Sequence, residues 1–171
     1  MLIPQSVLAA MTDRALSVVQ YVIVHHTADP STNKDIAEIA REEMISQPTF
    51  LTIGYHAVVQ GNGLIQYGRP IGKVPAAAEG LNTLSYDFAL EGNFQPGSTG
   101  YTGEKPTSAQ ILSAILLIKN AKAKLPNLKY LIGHRDVARI VGIPGDATAC
   151  PGDDLYSWLD HFRAETGLIA A

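Results

Sequence analysis

The chain has 171 residues, 46% of them hydrophobic and 17% charged, with a formal net charge of -3 and one cysteine. That length and apolar content suffice for one buried core, and no charge run or low-complexity stretch marks a second domain. The mildly acidic balance gives no electrostatic case for nucleic acid or an anionic membrane as partner, and a single cysteine excludes an internal disulfide.

Residues Met1 to Ala10 lack a basic leader and a long apolar run, so no export signal is expected and synthesis in the cytoplasm is. No segment approaches the roughly 20 apolar residues needed to cross a bilayer. The pattern over Met1 to Gln20 is too weak to assign and is treated as an N-terminal extension, with the main domain over 21–171. Tyr21 to Val24 is apolar on both faces, as in a central strand, and delivers His25 and His26 at its carboxyl end, where open sheets commonly bind ligands. Ile36, Ile39, Ala40 and Met44 recur at helical spacing, which predicts a scaffold helix from Asn33 to about Ile45 with its charges facing water.

His56 to Gln60 and Leu64 to Tyr67 read as strands joined through Gly61-Asn62-Gly63, whose residues tolerate the positive φ of a tight hairpin. A third strand includes Phe88 to Leu90. Pro75 to Ser85 reads as a small-residue loop, and Gly92 to Pro106, with its glycines and prolines, as a long surface loop. Thr107 and Gln110 have capping-box spacing before a helix that stops ahead of Pro126. Tyr130 to Ile132 predicts another strand ending at Gly133-His134. Leu155, Trp158, Leu159 and Phe162 then predict one amphipathic helix capped near Gly167. The alternation of strands and helices gives an α/β class: one domain, with a central mixed β-sheet flanked by helices.

Three distant residues carry metal-ligand chemistry: His25, His134 in Gly133-His134-Arg135-Asp136, and Cys150 in Thr148-Ala149-Cys150-Pro151-Gly152. Two imidazoles and a thiolate leave tetrahedral zinc one open position, the arrangement of catalytic rather than structural zinc. Each residue alone has a plainer reading: a hydrogen-bonded structural histidine, or a small buried thiol. The turn-rich context of Cys150 favours presentation to a site. Adjacent strand residues point to opposite faces, so only one of His25 and His26 can serve the same metal. His56 reads as a packed, hydrogen-bonded residue and His161 as solvated.

Val24-His25-His26-Thr27-Ala28, Gly54-Tyr55-His56, Gly133-His134-Arg135-Asp136 and Cys150-Pro151-Gly152 occur in the order and spacing of type 2 N-acetylmuramoyl-L-alanine amidases. The chain resembles that family, which includes phage endolysins and animal peptidoglycan recognition proteins, over roughly Tyr21 to Phe162. The resemblance implies Zn2+ as cofactor, His25, His134 and Cys150 as its ligands, and peptidoglycan or a muropeptide as substrate. The bond implied is the amide between N-acetylmuramic acid and L-alanine. It further implies that Tyr55 lies beside the metal, where its hydroxyl orients water or hydrogen-bonds the developing oxyanion. Thr148 falls where the phage enzyme has lysine, so it offers only a neutral hydrogen bond or simply shapes its loop.

Two departures stand out. Ala77 occupies a position where the family often has histidine, in Ala76-Ala77-Ala78-Glu79-Gly80-Leu81-Asn82, leaving Asn82 as a candidate substrate contact. Ala89 occupies the position of the recycling branch's assisting glutamate, leaving Glu91 as a pocket candidate. Cys150 with Tyr55 resembles the endolysin and recognition-protein type, so the expectation is a monomeric wall-lytic enzyme that reaches the wall after release. A cytosolic muropeptide-recycling amidase and a non-catalytic peptidoglycan-binding module are the alternatives.

Overall fold

The computed structural model describes residues 3–30, 33–142 and 148–171; Met1 and Leu2 of the N-terminal extension lie outside them. Five strands form one sheet in the order β3-β2-β4-β1-β5: β1 Tyr21–His26, β2 Ala57–Val59, β3 Ile65–Tyr67, β4 Ser85–Leu90 and β5 Tyr130–Gly133. β1 runs parallel to both β4 and β5, β2 runs parallel to β4, and only the edge strand β3 is antiparallel. This is the mixed sheet expected of the α/β class.

Among the described residues there are six α-helices: α1 Gln5–Ala10, α2 Ile36–Ser46, α3 Ser108–Lys124, α4 Val137–Val141, α5 Asp153–Tyr156 and α6 Leu159–Thr166. Strand alternation sorts the core into two layers. Val22, Val24, Phe88, Leu90 and Leu131 pack on one face with Ile118 and Leu117 of α3 and Phe162 of α6. Ile23 and Ile132 pack on the other with Val137 of α4, while Val58 meets Ile36, Ile39 and Ala40 of α2. His25 belongs to the α2 face and His26 to the α3 face, as their adjacency requires.

Local chemistry explains most boundaries. Thr107 and Gln110 form the expected capping box at the start of α3. Asp35 caps α2 by accepting from the Ala37 N–H at 2.7 Å, so the helix begins three residues later than Asn33, whose φ is 54°. Gly167 closes α6 in the left-handed conformation. The final amphipathic segment is broken at Ser157-Trp158 into α5 and α6, because its Leu155, Leu159 and Phe162 reach the same core without a continuous helix. Among the described residues no helix is long and apolar enough to cross a membrane.

The N-terminal segment is tied to the domain through Arg14. Its guanidinium donates to the carbonyls of Ile71, Asn82 and Ser85, at 3.2, 2.9 and 2.5 Å. Asp13 and Lys73 add a backbone bridge and an ion pair of 2.7 Å.

Candidate metal centre

Three elements from different parts of the chain meet at the carboxyl end of β1. His25 is the fifth residue of that strand and is 1% exposed. His134 follows β5 directly, in a 3-10 turn over His134–Asp136. Cys150 lies on the loop before α5. One ligating atom from each of these residues lies within 4.8 Å of the others, and the Cys150 Sγ is 3.8 Å from His25 Nδ1. The His25 and His134 rings are 4.6 Å apart between centroids.

Asp87 fixes which His25 nitrogen faces this centre. Its Oδ1 accepts from His25 Nε2 at 3.0 Å, which turns Nδ1 toward Cys150 and His134. Asp87 is fully buried on β4 and also accepts from Ser85 Oγ at 2.5 Å. A carboxylate behind a ligating imidazole holds its tautomer and ring orientation. Burial alone would lower the His25 pKa, but hydrogen bonds and charges from Asp87 and Cys150 outweigh it and raise the group to about 9. His134, by contrast, is depressed to about 3 by burial and by the charge of His25. It therefore offers a neutral nitrogen. Asp87 sits in no motif, and the sequence signal that could have found it is an acid within an otherwise apolar strand.

The donor set fits zinc. Two imidazole nitrogens and one sulfur are converged on one point, with a carboxylate already supporting the first nitrogen. His26 is directed elsewhere, its Nδ1 accepting from the Phe94 N–H at 3.2 Å. His56 accepts from the Asp87 N–H at 3.1 Å and stacks on Tyr86, the packed role expected of it.

Tyr55 precedes β2 in a bend rather than lying in the strand, and its ring centroid is 5.1 Å from that of His25. Burial, together with the Glu43, Cys150 and Asp87 charges, drives its phenol pKa well upward. Glu43 also accepts from the Gly54 N–H at 2.7 Å. Burial raises its carboxyl to about 7 despite that bond and the opposing pull of His25, Arg69 and Tyr55. Glu43 thus departs from the water-facing role expected for the charges of this helix. It continues the inward stripe of Ile36, Ile39 and Ala40, a helical-spacing signal that a carboxylate obscures.

The remaining candidates lie around this centre with other work to do. Thr148 Oγ1 accepts from the Cys150 N–H at 3.1 Å and so shapes the ligand loop. Asn82 Oδ1 accepts from Ala77 and Ala78 N–H at 3.0 and 2.9 Å, folding the loop opposite His134. Glu91 is 1% exposed and accepts from the Lys34 N–H at 2.6 Å, a bond that ties the start of α2 to the end of β4.

Arg135, next to His134, clasps the cysteine loop. Its backbone N–H donates to Cys150 O at 2.8 Å, its guanidinium donates to Ala149 O, and an ion pair of 2.7 Å links it to Asp153. Gly152 makes this docking possible, because a Cβ there would lie 2.3 Å from the Phe94 carbonyl carbon and its φ is +87°. Two clefts flank the centre. One, about 460 Å3, is bounded by Phe50, Ala77, Glu79, Asn82 and His134. The other, about 400 Å3, is bounded by Thr27, Asp29, Lys34, Glu42, Glu43 and Tyr55. A cavity of about 320 Å3 between His56, Tyr86 and Leu117 contains none of the three metal-ligand candidates.

Residues 15–153 match the family model described as N-acetylmuramoyl-L-alanine amidase. The endolysin of Enterobacteria phage T3 is 28% identical over 80% of this chain and 83% of its own length. Peptidoglycan-recognition protein 2 of Holotrichia diomphalia is 29% identical over 92% of this chain and 80% of its own. Among solved structures, the N-acetylmuramoyl-L-alanine amidase LysC from Clostridium intestinale superimposes with a TM-score of 0.71 at 28% identity, covering 92% of each chain. The match to most of the sequence, carried on the same sheet and helices, shows that this chain belongs to the type 2 N-acetylmuramoyl-L-alanine amidase family.

Proposed function

We propose that this protein is a zinc-dependent peptidoglycan hydrolase that cuts the amide joining N-acetylmuramic acid to L-alanine, working as an endolysin-type lytic enzyme. The observation that carries the proposal is the convergence of His25, His134 and Cys150 donor atoms within 4.8 Å of one another between two clefts. These three residues would hold the ion. Zinc, when bound, supplies a Lewis acid that acidifies water near neutral pH and polarises the scissile carbonyl.

The chain's own groups do the rest. Asp87 keeps His25 in one tautomer, and Arg135 with Thr148 holds the cysteine loop against His134. Tyr55 supplies a hydroxyl beside the reacting centre for water or for the developing oxyanion. Thr148 adds only the neutral hydrogen-bonding capacity of its hydroxyl. Asn82 borders the cleft on the His134 side, and Glu91 ties Lys34 to the end of β4. Residues 21–171 act as the catalytic domain, with 1–20 an extension pinned by Arg14. The protein acts as a monomer, made in the cytoplasm and meeting the wall after release.

Mass spectrometry of digested peptidoglycan tests the reading by identifying the broken bond: new L-alanine amino termini are expected, with one zinc per chain. Cys150→Ser and His134→Ala should each abolish hydrolysis with the fold retained, and a fully active His134→Ala protein without metal would refute the mechanism. The kinship with recognition proteins favours a second reading, wall binding without cleavage. Saturable adsorption with no new amines would support that reading instead.

A further inference from the structure

Asp87 supports His25 from behind, and the residues that hold Asp87 lead in turn to the N-terminal segment. Ser85 and Asp87 alternate along β4, so their side chains share the sheet face that carries His25. The Ser85 hydroxyl donates to Asp87 Oδ2 at 2.5 Å, while Oδ1 takes His25 Nε2 at 3.0 Å. His56 grips the same residue by its backbone: its N–H donates to the Asp87 carbonyl at 2.9 Å, and its Nδ1 accepts the Asp87 N–H at 3.1 Å. Ser85, His56 and Asp87 are all buried, so solvent has little access to these bonds.

Both residues that hold Asp87 are themselves held by Arg14. Its Nη1 donates to the carbonyls of Ser85, Asn82 and Thr83 at 2.5, 2.9 and 3.2 Å, all at or just before the start of β4. Its Nη2 donates to the Ile71 carbonyl at 3.2 Å and lies 2.9 Å from His56 Nε2. The Asp87 charge favours the guanidinium cation against the larger cost of its burial. Arg14, Ser85, Asp87 and His25 are thus linked residue to residue by hydrogen bonds.

We propose that Arg14 is a positioning residue of the metal centre: acting through Ser85 and His56, it fixes the Asp87 carboxylate against His25, so that the N-terminal segment helps to set the zinc affinity of the site. The proposal rests on the zinc site of the amidase reading and extends it to a residue that touches neither metal nor substrate. Arginine suits the task because its planar fork presents donors to several carbonyls at fixed angles, whereas lysine offers one flexible point charge. A carboxylate whose supports loosen can rotate, and the imidazole in front of it then loses its aim. Were Arg14 only a fastener for residues 1–20, its loss would lower the melting temperature and leave zinc affinity as it was.

The test is zinc affinity, measured by chelator competition, for Arg14→Gln, Arg14→Lys, Ser85→Ala, Asp87→Asn and the double variant Arg14→Gln/Asp87→Asn. Arg14→Gln and Ser85→Ala should each weaken zinc binding about 10-fold, the lower end of the range for groups outside the coordination sphere. Arg14→Lys should lose less, because it keeps the cation. In the Asp87→Asn background the Arg14→Gln loss should disappear, since no carboxylate is left to position. Wild-type affinity in Arg14→Gln, or losses that multiply in the double variant, would overturn the proposal. Should Arg14→Gln fail to fold, Arg14→Lys and Ser85→Ala still decide, and wild-type affinity in both also overturns it.

A second readout, in the zinc-loaded protein, does not depend on affinity or activity. The His25 Nε2 proton, observed by 15N-edited NMR, should exchange with solvent faster in Arg14→Gln and Ser85→Ala than in wild type, because its acceptor is less firmly held; equal rates would contradict the positioning role. If wild type binds zinc but releases no amine from peptidoglycan, the amidase reading fails, while the affinities and exchange rates still decide this proposal.

Discussion

Asp87 determines which nitrogen of His25 is available, and it does so from a neighbouring strand with no motif of its own. Asp87→Asn preserves the shape but removes the charge that supports the imidazole. Zinc affinity should fall about 10–100-fold, measured by competition with a chromogenic chelator, with the melting temperature changed far less. An unchanged dissociation constant would reduce Asp87 to a packing role. The three ligand candidates were legible in the sequence because histidines at strand ends and a cysteine in a turn are conspicuous. Asp87 and Glu43 were not, since each looks like an ordinary acid until the sheet and α2 bring it against a partner.

At the scale of elements, the cysteine loop depends on close approach. Gly152 lets it pass against Phe94, and Gly133 has room for no side chain beside Pro151 and the Tyr156 ring, where a Cβ would come within 2.9 Å. Gly152→Ala combines a left-handed φ with a backbone clash and should cost about 1–3 kcal/mol or more in denaturant unfolding. Metal content should drop with it, because Cys150 must retreat; full zinc loading in that variant would show the loop to be more tolerant than its packing implies. The alternating pattern foretold the strands and α3 well, because apolar periodicity and the Thr107 cap act locally. The break at Ser157-Trp158 was hidden, since Leu155 and Leu159 satisfy helical spacing whether or not the helix is continuous between them.

Over the whole molecule, two imidazoles outside the centre are held neutral: burial lowers both His26 and His56 to about 4, with the charges of His25 and Arg135 adding to the His26 shift. A histidine whose folded pKa lies below its unfolded value near 6.5 stabilises the native state above that value and loses this contribution as pH falls toward 4. Each shift corresponds to about 3 kcal/mol. Calorimetry should therefore show a steep fall in melting temperature between pH 6.5 and 4, and a flat profile there would contradict the burial of these rings. The N-terminal segment was unreadable because its anchor is one arginine donating to backbone carbonyls around Asn82 and Ser85, a long-range contact that leaves no periodic trace.

Two of the three convergent donors are rooted in the sheet, whereas the sulfur arrives on a surface turn clipped in place by Arg135. On the amidase reading proposed above, cleavage and wall binding would rest on separable parts of the domain. On that reading, exchange of Cys150 alone removes cleavage and leaves the walls of both flanking clefts in place.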